Sequence, residues 1–289
     1  MSITEHLNKI LNWLNQNRYN EISFLQPGIS IEEIEEIISD LPLKLPIDVK
    51  QLYMWKNGTT RGNYEHEYSS AFGYWGFFPL QSVIASYRQI IDFHNDVSIY
   101  SSELNKLHIF FNAQSEEDGY VLIDKKNKQT SLVVFEFCKA GDCSPIIKYA
   151  SLTDMVLTIS DWYENAYYIN YDEFLIPEND VAYQILRKYN SSGITKAALD
   201  KLQEKLSLDI IYESEADLIY AKHYNAVEPL IKILQKPFST FEELMLKDLA
   251  IKVLGEIGDT KAIVPISRIE DSELIKTAKT ALQKLKAKN

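Results

Sequence analysis

Three observations predict an α+β domain, an antiparallel sheet flanked by helices, followed by an all-α helical module. Apolar residues recur at helical spacing at the start of the chain, and from about Lys106 the period changes to that of strands. Beyond about Phe174 only Ile210-Ile211-Tyr212 reads as a strand run, and the rest is helical, with an internal repeat near the end. The expected domains are residues 1–170 and 175–289.

The first helix follows from Ile3, Leu7, Ile10, Leu11 and Leu14. After a turn at Pro27-Gly28, Ser30 and Glu33 form a capping box ahead of Ile34, Ile37, Ile38 and Leu41, and Pro42 ends that helix. Pro46 at a first helical position opens a helix bearing Val49, Leu52 and Tyr53, with Asn57-Gly58 as a left-handed terminator. Leu107–Asn112, Tyr120–Asp124 and Ser131–Phe137 are strand runs, the last two joined by the polar hairpin loop 125–130. Leu132-Val133-Val134-Phe135 is apolar on both faces, which predicts a sheet covered by helices on at least one side. Ser151 then caps a helix with Leu152, Met155, Val156, Ile159 and Tyr163 inward.

Helical stretches follow around Val181–Tyr189 and Thr195–Lys205. Ala226-Val227-Glu228-Pro229-Leu230 reappears 36 residues later as Ala262-Ile263-Val264-Pro265-Ile266. Ala250, Leu254 and Ile257 reappear 28 residues later as Ala278, Leu282 and Leu285, which places an insertion of eight in the first copy, near 236–240. Each copy reads as a helix pair that buries its apolar face only against a neighbour.

The 289 residues, 46% apolar and 25% charged with 10 Gly and 9 Pro, exclude collagen-like and wholly disordered classes. Two cysteines cannot build a secreted disulfide framework. The first residues lack a basic segment before an apolar run, and no run approaches the roughly 20 apolar residues of a membrane span, so a soluble cytoplasmic protein is expected. The net charge of −11 is uneven: residues 1–180 carry 26 acidic against 13 basic side chains, residues 181–289 carry 15 against 17. So acidic a first domain disfavours nucleic acid and anionic membranes, and favours a basic protein partner, although solubility alone also explains it.

The first part resembles the SUKH superfamily, on Ile29-Ser30-Ile31-Glu32-Glu33-Ile34, Leu45-Pro46-Ile47-Asp48-Val49-Lys50-Gln51-Leu52-Tyr53, Asn57-Gly58, the Phe78-Pro79-Leu80 turn, the 107–137 meander and the Ser151-capped helix, in that order over roughly residues 1–168. The C-terminal part is similar to HEAT-like repeats, on Ala250–Asp259, Pro265 and Ala278–Leu285. The first resemblance implies a non-catalytic protein that binds and neutralises a bacterial polymorphic toxin. Many such toxins are nucleases with basic clefts, which an acidic surface can occlude as a phosphate mimic. A scaffold or regulator holding other intracellular proteins is the alternative. An enzyme accessory akin to bilin lyases would need a chromophore pocket that no residues supply.

No phosphate-binding loop, H-E-x-x-H or G-x-S-x-G motif is present. The five histidines lack ligand spacing, and Glu65-His66-Glu67 reads as a solvated triplet rather than a metal site. Cys138 and Cys143 lack the further ligands zinc needs and read as buried or free thiols. Neither an enzyme nor a cofactor is expected. Trp55 to Phe78 is the unusual stretch, with eight aromatic residues among Gly58, Gly62, Gly73 and Gly76. Two readings stand: a satellite core beneath a long loop, or an aromatic recognition surface of the kind found at interface hot spots. Phe72 and Phe77 read as core. The candidate partner-binding residues are Trp55, Tyr64, Glu65, Glu67, Tyr68 and Trp75, with Glu116, Glu117 and Asp118 as a solvated acidic turn. Trp162, Tyr163, Tyr167, Tyr168 and Tyr171 read as the seal of the interdomain junction.

Overall fold

The helical spacing at the start of the chain becomes α1, Ile3–Asn17, with Ile3, Leu7, Ile10 and Leu14 buried. The computed structural model describes residues 3–17, 22–41, 44–60, 71–73, 75–96, 106–112, 117–123, 133–139, 142–166 and 180–287. Two units are distinguished, Met1–Tyr189 and Asn190–Asn289. They form an α+β domain and a helical module, the predicted class. The expected change of domain, between 170 and 175, lies outside the described residues.

In the first unit β1, Leu25–Pro27, precedes α2, Ile31–Ile37. The capping box forms as expected: the Glu33 amide donates to Ser30 Oγ (3.2 Å) and the Ser30 amide donates to Glu33 Oε2 (2.7 Å). Next, α3, Ile47–Trp55, starts one residue later than expected, with Pro46 in the cap position. It ends before Asn57-Gly58, because the chain turns extended at Lys56 (φ −148°) and enters β2, Lys56–Thr59, antiparallel to β1. The terminator reading of Asn57-Gly58 is therefore corrected. Gly58 does have positive φ (83°), but inside a strand.

A five-stranded antiparallel sheet follows in simple sequential order: β3 Trp75–Phe77, β4 Lys106–Asn112, β5 Glu117–Leu122, β6 Val133–Lys139 and β7 Asp142–Tyr149. The central three are the predicted meander. The two outer strands carried weak signals, since β3 has only three residues around Gly76 and β7 contains Pro145. Between β3 and β4 lies α4, Leu80–Asp96, whose Leu80, Val83, Ile84 and Tyr87 are buried at helical spacing. Then α5, Leu152–Asn165, begins at Ser151, whose Oγ accepts the Asp154 amide (2.9 Å). α4 packs on β4, and α5 packs on α1 and β7.

The two helical stretches expected after residue 180 are one helix, α6, Asp180–Glu204, which contains the unit boundary. Ile210-Ile211-Tyr212 is not a strand but lies in α7, Leu208–Ala221, where Ile211 is buried and Tyr212 exposed. The three-residue β-branched run is overridden by helical packing against the rest of the unit. In the second unit, 3₁₀ turns at Tyr224–Ala226 and Thr260–Ala262 lead into α8, Val227–Gln235, and α10, Ile263–Ser267. The longer helices α9, Phe241–Ile257, and α11, Ile275–Ala287, follow them. α9 packs against α7, α8 and α11, so each helix pair is buried by its neighbour. Part of the inferred insertion appears as the greater length of α8, nine residues against five in α10.

Candidate protein-binding face

Strand alternation sorts the aromatic residues around β3–β5 onto two faces. Trp75 and Phe77 point inward, and Phe77 joins Tyr53, Phe72 and Phe110 in a ring cluster, with centroids 5.6 Å (Phe72–Phe77), 5.9 Å (Phe72–Phe110) and 6.1 Å (Tyr53–Phe77) apart. Phe72 and Phe77 are core, as expected. Trp75, expected at a partner surface, is 2% exposed. That expectation is corrected: Trp75-Gly76-Phe77 is a strand, and its alternation turns Trp75 to the same side as Phe77.

The opposite face carries a second ring ladder that the sequence reading missed. Phe78 meets Phe111 at 4.7 Å and the His108 ring edge-on at 5.0 Å, and His108 stacks on Tyr120 at 4.8 Å and 27°. A bulge at Ile109 sets this arrangement, since the register steps from His108↔Tyr120 to Phe110↔Gly119. Beyond it Phe111 turns outward and lies over Gly76, its register partner, where a Cβ would sit 2.4 Å from the ring. All four rings are partly exposed. The alternation of Lys106 and His108 with Leu107 and Ile109 was the available signal.

Asp118 stands at the edge of this ladder. Its Oδ1 lies 3.1 Å from His108 Nε2, close enough for an ion pair once the ring is protonated but out of line for a hydrogen bond. The Asp118 side chain is 46% exposed and His108 27%. Lys106 Nζ sits 5.2 Å from the centroid of the Tyr120 ring. Glu117 and Asp118 both lie in β5, paired with Phe137 and Glu136, so the acidic turn expected there is corrected to a strand. Tyr64, Glu65, Glu67, Tyr68 and Glu116 lie outside the described residues, as do Tyr167, Tyr168 and Tyr171. Of the other described candidates, Glu117 is Asp118's neighbour in β5, whereas Trp55 packs on Phe72 and Trp75 is buried.

Both ends of the ring-rich stretch are anchored. Trp55 is partly buried and packs on Phe72 at 6.3 Å, with its Nε1 buried and without a hydrogen-bond partner among the described residues. At the far end the Gly73 amide donates to the Tyr163 hydroxyl (2.9 Å), which donates to the Ala71 carbonyl (3.1 Å). Tyr163 also stacks on Trp13 at 4.4 Å, so it belongs to the first unit's interior. Trp162 Nε1 donates to the Ala182 carbonyl (3.0 Å), which ties the start of α6 to α5.

The residues behind the family resemblance are structural. Asn57 Oδ1 accepts the Leu80 amide (3.0 Å) and Asn57 Nδ2 donates to Gln81 Oε1 (3.1 Å), so Asn57 caps the start of α4. Tyr53 Oη donates to the Phe78 carbonyl (3.1 Å). Asp48 is 1% exposed, and its carboxylate accepts the Val49 amide (3.0 Å) and the Thr153 hydroxyl (3.4 Å). Burial pushes the Asp48 carboxyl up to about 6.

Cys138 and Cys143 are register partners across the β6–β7 hairpin. Among the described residues no group of three metal-ligating side chains forms and no helix is long and apolar enough to cross a membrane. No curated protein matches the chain. Residues 28–158, from the turn before α2 to the middle of α5, match the sequence model of the SMI1 / KNR4 family (SUKH-1), which supports the SUKH superfamily for the first unit.

Proposed function

We propose that the chain is a non-catalytic, cytoplasmic immunity protein that binds and neutralises a bacterial toxin domain, its target being a basic nuclease. The observation that carries this reading is the coincidence of the SUKH-1 match over residues 28–158 with the charge of that part of the chain, 26 acidic against 13 basic side chains in residues 1–180. A cleft built to hold nucleic acid is lined with cations, and a carboxylate-rich surface competes for the same cations. Long-range attraction then speeds encounter, while rings buried at contact slow release. Asp118, Glu117 and Trp55, with Tyr64, Glu65, Glu67, Tyr68 and Glu116 outside the described residues, are the proposed contacts. The second unit is proposed to be HEAT-like, supported by its two turn-and-helix-pair copies.

The test is a pull-down with the full chain from its native host, followed by a nuclease assay on the recovered partner. A basic nuclease whose activity the chain abolishes supports the reading. Recovery of wall-synthesis or signalling enzymes, or a nuclease that stays active when bound, overturns it in favour of a scaffold.

A further inference from the structure

We propose that the outward ring ladder of the sheet, Phe78, His108 and Tyr120 with the Asp118 carboxylate at its edge, is a receptor for an arginine side chain of a basic protein partner. The inference rests on the protein-binding reading above and assigns it a site. A guanidinium is planar and weakly hydrated; it stacks on aromatic faces and offers paired donors to a carboxylate. The ladder supplies both halves of that chemistry side by side. His108 and Tyr120 lie nearly parallel at 4.8 Å, Phe78 closes the other side of the imidazole at 5.0 Å, and Asp118 Oδ1 is 3.1 Å from His108 Nε2.

Two further observations favour a cation over an apolar occupant. A cation already uses this face: Lys106 Nζ lies 5.2 Å from the Tyr120 centroid. And the Asp118 side chain is 46% exposed at the edge of the ladder, so its carboxylate is open to accept from an incoming guanidinium. The charge balance of residues 1–180, 26 acidic against 13 basic, attracts a basic partner to this part of the chain from a distance. Lys106 then acts as a placeholder that the incoming guanidinium displaces from Tyr120.

The probe is a nona-arginine peptide titrated into the full chain at about 150 mM salt, where diffuse surface attraction is screened. The readout is the side-chain resonances of His108 and Tyr120. Both should shift, Asp118→Asn and Tyr120→Leu should each weaken binding by about five-fold or more, and Tyr120→Phe should stay within about two-fold of the parent. Lys106→Gln should tighten binding. Glu32→Gln, which removes the same charge at a site away from the ladder, is the control. Equal losses in Asp118→Asn and Glu32→Gln, or no shift at His108 and Tyr120, overturn the proposal. Asp118→Asn lies at a solvated edge, so the test survives if Tyr120→Leu does not fold. A recovered nuclease that binds Asp118→Asn and Tyr120→Leu like the parent sinks this site and leaves the protein-binding reading intact. Arginine binding at the ladder without any basic partner in the pull-down does the reverse.

Discussion

Lys222 and Gly258 occupy the same place in the two helical copies, 36 residues apart, and both have left-handed backbones, φ 45° and 87°. Each ends a long helix and donates its amide to the carbonyl four residues back, Leu218 and Leu254. Each precedes a side chain that caps a 3₁₀ turn: His223 Nδ1 accepts the Asn225 amide and Asp259 Oδ1 accepts the Lys261 amide. The correspondence runs on into Ala226 and Ala262, with φ, ψ of −76°, −20° and −77°, −17°. The repeat read from Ala226–Leu230 and Ala262–Ile266 is therefore a repeat of backbone geometry.

That equivalence predicts unequal responses to mutation. Gly258→Ala places a Cβ where the backbone disfavours one and should cost about 1 kcal/mol. Lys222→Gly releases the corresponding strain, but it loses the ion pair with Glu256 (2.9 Å) and gains unfolded-state freedom. The opposing effects are each about 1 kcal/mol or less, so the net change should be near zero. Urea denaturation of the two variants measures both, and a neutral Gly258→Ala would show that this turn tolerates an ordinary residue.

Glu256 joins the same turn to the last helix, pairing with Lys222 and with Lys284 of α11. The hydrogen bonds from Lys284 and Lys222 hold its carboxyl down at about 2, below its unfolded value of 4.5. A depressed carboxyl stabilises the fold above the unfolded value and loses that contribution as pH falls through the folded one. Glu256→Gln should therefore destabilise on the order of 1 kcal/mol near neutral pH, and match the parent by about pH 2. Parallel melting curves across that range test it; a constant difference would mean the two lysines do not act through charge.

Asp48 has the opposite sign. Its carboxyl is raised to about 6 by burial, against an unfolded value of 3.8, so its ionisation weakens the fold as pH rises through about 6. Asp48→Asn keeps an acceptor for the Val49 amide and removes the buried charge. It should stabilise the first unit on the order of 2 kcal/mol at about pH 8, the gain vanishing below about pH 4. A variant less stable than the parent at pH 8 would mean that the carboxylate earns its place through partners stronger than Val49 and Thr153.

Elements with a strong local signature were legible in the sequence. Ser30 and Glu33 announced a capping box, Ser151 a helix start, and the three central strands their β-branched runs. The candidate site was less legible. Asn57-Gly58 carries a turn signature, yet its side-chain amide is used across 23 residues to hold the Leu80 amide, a relationship that only tertiary structure supplies. The ring ladder stayed hidden for a similar reason, because its members come from three segments and the bulge at Ile109 decides which rings face outward. Tyr163 reads as a junction residue from its neighbours in sequence, whereas its hydroxyl accepts the Gly73 amide 90 residues earlier.

Trp75 and Asp118 both read as partner contacts in the sequence, and the structure separates them. Trp75 is 2% exposed beside the inner ring cluster, so Trp75→Ala should cost about 3–5 kcal/mol by emptying a large volume. Asp118, with a side chain 46% exposed, should change stability by about 0.5 kcal/mol or less on replacement by Asn. Binding should respond the other way round. Trp75→Phe, which keeps most of the packing, should bind nona-arginine like the parent when concentrations are corrected for the folded fraction. Calorimetric melting gives that fraction, and titration at a temperature well below the transition gives the affinity. A Trp75→Phe variant that remains fully folded but loses binding would return the indole to the contact surface and require the strand bearing it to move when a partner arrives.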